Sequence, residues 1–175
     1  MKIRIEPQFL ASHLQKGEVS FLFEKLDGTL RESKGTTSPH ILGEVKEGNP
    51  PGDALPFFDL DKNQWRSVAQ GQKIYFETEW LREIYGCPQL SDGEILFMLS
   101  ERGYLKDEWH SRLIEVIKDA PDSEMLNFRM GYRDLSSTIW KWQTDPSYHD
   151  HLEAQWEMME KIIRGEAGSD KIRCY

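Results

Sequence analysis

Only two cysteines occur among the 175 residues, Cys87 and Cys174, far apart in the chain. That excludes a disulfide framework of the kind that staples small secreted domains. The opening Met-Lys-Ile-Arg-Ile-Glu lacks the apolar core of a secretory signal, and no apolar run approaches the length that crosses a bilayer. These absences lead to the expectation of a cytoplasmic protein with no membrane partner. Catalytic signatures are missing too: there is no Gly-rich phosphate loop, no Gly-x-Ser-x-Gly elbow and no His-Glu-x-x-His. The commonest enzyme classes are thereby removed, and the expectation is a non-catalytic protein without a cofactor.

A surplus of positive charge is also lacking. The formal net charge is −8, and it is unevenly spread. Residues 1–77 hold 10 Lys/Arg against 11 Asp/Glu, whereas residues 78–175 hold 12 against 19. An acidic second half repels phosphate and favours either plain solvation or a basic partner.

What is present is enough apolar material for a core, 38% hydrophobic and 11% aromatic, and two hairpin patterns. Val19, Phe21 and Phe23 alternate with Ser20, Leu22 and Glu24, and Asp27-Gly28 then supplies a turn in which Gly takes positive φ freely. The second hairpin runs Phe57-Phe58-Asp59-Leu60, turns at Asp61-Lys62-Asn63, and returns through Gln64 to Val68. Ala69–Glu77 reads as a further strand, with Ile74 and Phe76 on one face. Met1–Glu6 reads as a short edge strand or a frayed start. Pro7 suits a first helical position, with Phe9, Leu10, His13 and Leu14 on one face before Gly17 ends the helix. Ser38 to Leu55, including Gly48-Asn49-Pro50-Pro51-Gly52, reads as a long loop.

After Glu77 the apolar period changes from two to about 3.6. Thr78 caps a helix ending near Gly86, and Ser91-Asp92-Gly93-Glu94 has the form of a capping box for a helix stopped by Gly103. Trp109, Leu113, Ile114 and Ile117 mark the next helix, closed at Ala120-Pro121, and another covers Ser123 to Tyr132. The last runs from about Ser147 to Arg164 with Tyr148, Leu152, Trp156, Met159 and Ile163 on one stripe, before a frayed tail from Gly165.

Lys16-Gly17-Glu18-Val19-Ser20-Phe21, then Asp27-Gly28-Thr29-Leu30-Arg31-Glu32 and Gly35-Thr36, are followed by Phe57-Phe58-Asp59-Leu60-Asp61-Lys62 and Trp65-Arg66-Ser67. This order resembles the small WYL-like, SH3-barrel family of bacteriophages and Bacteroidetes-type bacteria, over residues 14–77. The resemblance implies a small Sm-like or SH3-like barrel, often phage-encoded, with no established catalytic residues. Related WYL domains act as ligand-sensing or nucleic-acid-sensing regulators. Residues 78–175 go beyond the family's usual shape.

The expected architecture is therefore α+β: a small SH3-like (Sm-like) antiparallel barrel over 1–77, then an acidic helical region over 78–175. For function, the leading expectation is a phage-type accessory protein that binds and modulates a macromolecular partner, with protein favoured. Trp140 and Trp142 lie about 200° apart on a helix, so one faces a core and the other is free to anchor a partner. The alternative is that the second packs under a Thr144–Tyr148 loop. Trp140, Trp142, Asp145 and Asp150 are the candidate contact set. The runner-up is a regulator sensing nucleic acid or a small ligand, with Arg31, Lys34, Lys62 and Arg66 on phosphates beside Trp65 and Tyr75; the competing reading places Trp65 inside the barrel. A third reading is a metal-dependent hydrolase, with Asp59 and Asp61 on one strand face and Asp53 nearby; turn formation explains Asp61 and Asn63 equally well. His149 and His151 point apart on a helix and make a poor metal pair.

Overall fold

The computed structural model describes residues 1–43 and 53–164. The chain divides into two compact units, Lys2–Trp80 on one hand and Leu81 onward with Met1 on the other.

The first unit is one antiparallel sheet of six strands: β1 (Lys2–Ile5), β2 (Val19–Glu24), β3 (Leu30–Thr36), β4 (Leu55–Asp59), β5 (Gln64–Val68) and β6 (Ile74–Glu77). Their order is β1-β6-β2-β3-β4-β5. Of the two readings of the opening segment, the edge strand is the one that forms, with Ile3 opposite Phe76 and Ile5 opposite Ile74. The expected strand over Ala69–Glu77 shortens to β6. Residues 69–72 form a turn instead, in which Gln72 N–H donates to the Ala69 carbonyl and Gly71 sits at φ 82°.

In the β2–β3 connection Gly28 N–H donates to the Lys25 carbonyl and Lys25 N–H to that of Thr29, so Leu26-Asp27-Gly28 is a three-residue loop. Gly28 alone takes positive φ there, while Asp27 accepts from the Thr29 N–H and hydroxyl. Asn63 plays the left-handed part in the second hairpin, at φ 52°.

Alternation sends Phe21, Phe23, Ile74, Phe76, Ile3 and Ile5 to one face, where all are buried. Helix α1 (Pro7–Leu14) adds Phe9, Leu10, His13 and Leu14 to this core. Phe57 from β4 meets Phe21 edge-on at 5.0 Å. Gly35 makes room for it, since a Cβ there would lie 2.6 Å from the Phe57 ring. The described part of the Ser38–Leu55 stretch contains one helical turn, α2 (Pro39–Leu42); residues 44–52, with the Gly48–Gly52 run, lie outside the described residues, as does the tail from Gly165.

Six helices follow: α3 (Thr78–Tyr85), α4 (Asp92–Glu101), α5 (Glu108–Lys118), α6 (Asp122–Gly131), α7 (Arg133–Thr144) and α8 (Pro146–Arg164). The unit boundary between Trp80 and Leu81 falls within α3. The Ser91 capping box forms in full: Ser91 Oγ accepts from the Glu94 N–H at 3.2 Å and Glu94 Oε2 accepts from the Ser91 N–H at 2.8 Å. Helix α4 approaches the start of α7 at Gly93, where a Cβ would lie 2.4 Å from the Leu135 backbone nitrogen. Ile95, Phe97, Leu99, Ile114, Ile117, Ile139, Leu152 and Trp156 fill this core. The expected Thr144–Tyr148 loop does not exist. Asp145 alone separates α7 from α8 and caps the latter, accepting from Ser147 and Tyr148 N–H. The side chains of Met159 and Ile163 lie outside the described residues.

Candidate binding surfaces

The helical unit exposes more large apolar side chains than its core pattern requires. On α6, Met125 is buried and Phe128 half-buried, about 60° apart around the helix. Leu126 and Met130 form a second apolar stripe, four residues apart, and are 66% and 84% exposed. On α5, Ile114 and Ile117 reach the core, whereas Trp109 stands at the edge of that arc and is 54% exposed. The sequence pattern uses Trp109 with Leu113, Ile114 and Ile117 only to mark the helix. Its ring lies 5.6 Å from that of Tyr132, which is also exposed, at the α6–α7 junction. Val116, two turns along the same edge of α5, is exposed as well.

The expected contact set divides around this surface. Trp140 is 38% exposed, with the Arg129 guanidinium 4.8 Å over its ring. Trp142 turns the other way and packs, 5.2 Å from Phe97 and 3.9 Å from His149 between ring centroids. Asp145 is occupied as the α8 cap, and its bonds to Ser147 and Tyr148 hold its carboxyl below the usual carboxylate range. Asp150 is exposed on α8 with His149 Nδ1 at 3.6 Å, and His151 is exposed beyond it. Leu126, Met130, Trp109 and Tyr132 were not anticipated as surface residues. The double apolar stripe of α6 was the available signal, because a surface helix needs only one.

This aromatic segment is not where the acidity lies. Residues 108–144 hold five Lys/Arg against six Asp/Glu. The excess negative charge of the second half sits before and after it.

On the barrel unit the four candidate phosphate-binding cations do not form one set. Arg31 stands opposite Phe23 on the core-facing side of β3, while Lys34 stands opposite Ser20 on the other. Lys34 is held by Glu18 at 2.5 Å, and this contact holds its ammonium pKa above the ordinary value. Arg66 Nε is 3.1 Å from Asp59 Oδ2. Lys62 is exposed in the β4–β5 turn, where its N–H donates to Asp59 Oδ1 at 3.0 Å. Asp59 is therefore a buried anchor of its hairpin rather than an open ligand, only 3% exposed, and Asp61 lies past the strand end in the turn. Asp53 is exposed just before β4. Among the described residues, no group of three or more His, Cys, Asp or Glu is placed to hold a metal ion.

Trp65 does not fill the barrel interior. It sits beside Phe58 on the opposite face of the hairpin from Phe57 and Arg66, with the two rings edge-on at 5.7 Å. One side of it lines a cleft of about 520 Å³, whose other walls come from the end of α1 and the start of β4. Tyr75 stands opposite Leu22 and Arg4, on β6 and away from this cleft's lining.

Among the described residues, no helix is long and apolar enough to cross a membrane. No curated protein and no solved structure matches the chain. The antiparallel sheet agrees with a family match: residues 8–70, from α1 through β5, match WYL_2, described as an Sm-like SH3 beta-barrel fold, so the barrel unit is WYL-like and α3 to α8 extend beyond the match.

Proposed function

We propose that the protein is a non-catalytic binding protein that docks a protein partner on the aromatic face of its helical unit, with the WYL-like barrel as its companion unit. The observation that carries this reading is the exposure of Leu126, Met130, Trp109, Tyr132 and Trp140 on three successive helices. Large apolar side chains exposed close together are costly to leave in water and mark interaction sites, and Trp and Tyr are the residues that anchor such contacts. Arg129 over Trp140 adds a planar cation of the kind enriched at interfaces.

The near-neutral charge of residues 108–144 directs the mechanism. Recognition rests on apolar anchoring and steric occlusion of the partner's surface, not on acidic complementarity. The resemblance of the barrel ties this reading to phage-encoded accessory proteins acting in a bacterial cytoplasm.

The test is affinity capture from bacterial lysate, with and without nuclease, using the native chain and a Trp109→Ser/Met130→Ser variant as baits. A protein retained by the native chain after nuclease treatment, and lost with the variant, supports the reading. Equal retention by both baits, or retention abolished by nuclease, overturns it.

A further inference from the structure

The described residues that line the cleft beside Trp65 all belong to the barrel unit. We propose that it binds a small planar molecule carrying a carboxylate, that is, an aromatic acid. Its volume of about 520 Å³ falls within the range of small-molecule sites.

The floor is fixed before any ligand arrives. The Leu14 carbonyl at the end of α1 accepts from the Thr37 N–H at 2.8 Å and from Thr36 Oγ1 at 3.2 Å. Ser38 N–H donates to the same Thr36 hydroxyl at 3.0 Å. These bonds tie α1 to the end of β3 and, through Thr36, to Ser38, the N-cap of α2. The walls are flat and stiff. Trp65, braced by Phe58, faces a lining that includes the rings of Pro39 and Pro56. Such walls suit a flat ring better than a branched chain.

The polar part of the lining selects the acid. Among the described residues lining the cleft, Lys16 is the one that is charged, and it makes no ion pair with another of them. The negative end of α1 is blunted nearby: Gln15 N–H donates to the Ala11 carbonyl, and Lys16 and Gly17 N–H both donate to that of His13. Among the described residues of the lining, an anion therefore meets one formal charge, and that charge is positive. Trp65 contributes its ring and not its donor, because its Nε1 is shielded from solvent.

The experiment is an NMR titration of the full ¹⁵N-labelled chain with benzoate, indole-3-acetate, neutral indole-3-acetamide and acetate. The Trp65 indole N–H and the Thr37 amide are the reporters. At least one aromatic acid is expected to shift both saturably, the amide to bind about tenfold more weakly, and acetate to give no saturable shift. Lys16→Gln lowers acid affinity to the level of the amide, and Trp65→Phe weakens both, in variants whose remaining amide spectrum is unchanged. No saturable shift with either aromatic acid overturns the proposal. So does equal binding of acid and amide, and so does an acetate response matching that of the aromatic acids, which marks an adventitious anion contact only.

Discussion

Acidification is expected to weaken the barrel unit through a single side chain, His13. Its ring lies in the core between Phe9 and Phe76, at centroid distances of 4.4 and 5.8 Å, with Nδ1 2.6 Å from the Phe9 carbonyl. Burial disfavours the imidazolium and outweighs the favourable carbonyl contact, lowering the pKa from 6.5 to about 4. In the unfolded chain the same ring takes up a proton near its ordinary pKa. The unfolded state therefore binds more protons than the native state between those values, and stability falls as pH drops from about 6.5 to about 4. Above that window the contribution is complete, and below it no more is lost. A shift of this size amounts to about 3 kcal/mol across the window, of which about 2.5 kcal/mol is lost by about pH 4.5. Carboxylates titrate nearby, so the informative quantity is a double difference against His13→Phe, which keeps an aromatic ring and cannot ionise. Urea unfolding followed on the methyl signals of Ile3, Ile5 and Ile74 reads the barrel unit alone within the full chain. The reasoning fails if native protein and variant lose the same stability between about pH 7.5 and about pH 4.5. It fails equally if the His13 ring titrates near its ordinary pKa in the folded state.

Other substitutions have defined expectations. Gly93→Ala pushes a methyl into the Leu135 backbone and should cost the helical unit about 1–3 kcal/mol, seen in the urea midpoint of Ile95 and Ile139 methyls with the barrel methyls unmoved. Gly35→Ala meets the buried Phe57 ring instead and should lower barrel stability by a similar amount, about 1–3 kcal/mol, with the reverse pattern of midpoints. Arg66→Leu leaves Asp59 buried without its cation and should cost about 1.5–3 kcal/mol; a double-mutant cycle with Asp59→Asn that gives no coupling would contradict this. Met130→Ser removes a side chain that is 84% exposed, so it should leave stability within about 0.5 kcal/mol of the native chain, checked by the same unfolding curves.

Much of the fold was legible because its signals are local. Asp27-Gly28, Asn63, the Ser91–Glu94 box and the apolar face of Pro7–Leu14 each encode a turn, a cap or a helix within a few residues, and each forms. What was not legible depends on partners distant in sequence. The four residues of β1 become a strand by pairing with β6 more than 60 residues away, and alternation alone left them ambiguous. Trp65 looked like core because aromatic strand residues usually are. Its position opposite Phe58, and not opposite Phe57, sends it to the other face of the hairpin. Arg66 and Lys34 looked like free cations because neither Asp59 nor Glu18 is its neighbour in sequence. The helix-marking pattern does not say which side Trp109 takes: it lies about 80° around the helix from Ile117 and 140° from Ile114, outside the arc those two bury.

The charge pattern sharpens the functional argument in the same way. A net charge of −8 suggested that the acidic half recognises its partner by charge. Divided along the helices, that charge separates from the exposed aromatics: residues 78–107 hold three Lys/Arg against six Asp/Glu, residues 145–175 four against seven, and the stretch between them is nearly balanced. Net repulsion between copies of an acidic chain opposes self-association at low salt, while a nearly neutral apolar segment imposes little electrostatic penalty on a docking partner. Raising salt should therefore leave partner binding almost unchanged while promoting self-association of the free protein, read by sedimentation velocity. Partner binding that collapses with salt would return the contact to the acidic segments and away from Trp109, Leu126 and Met130.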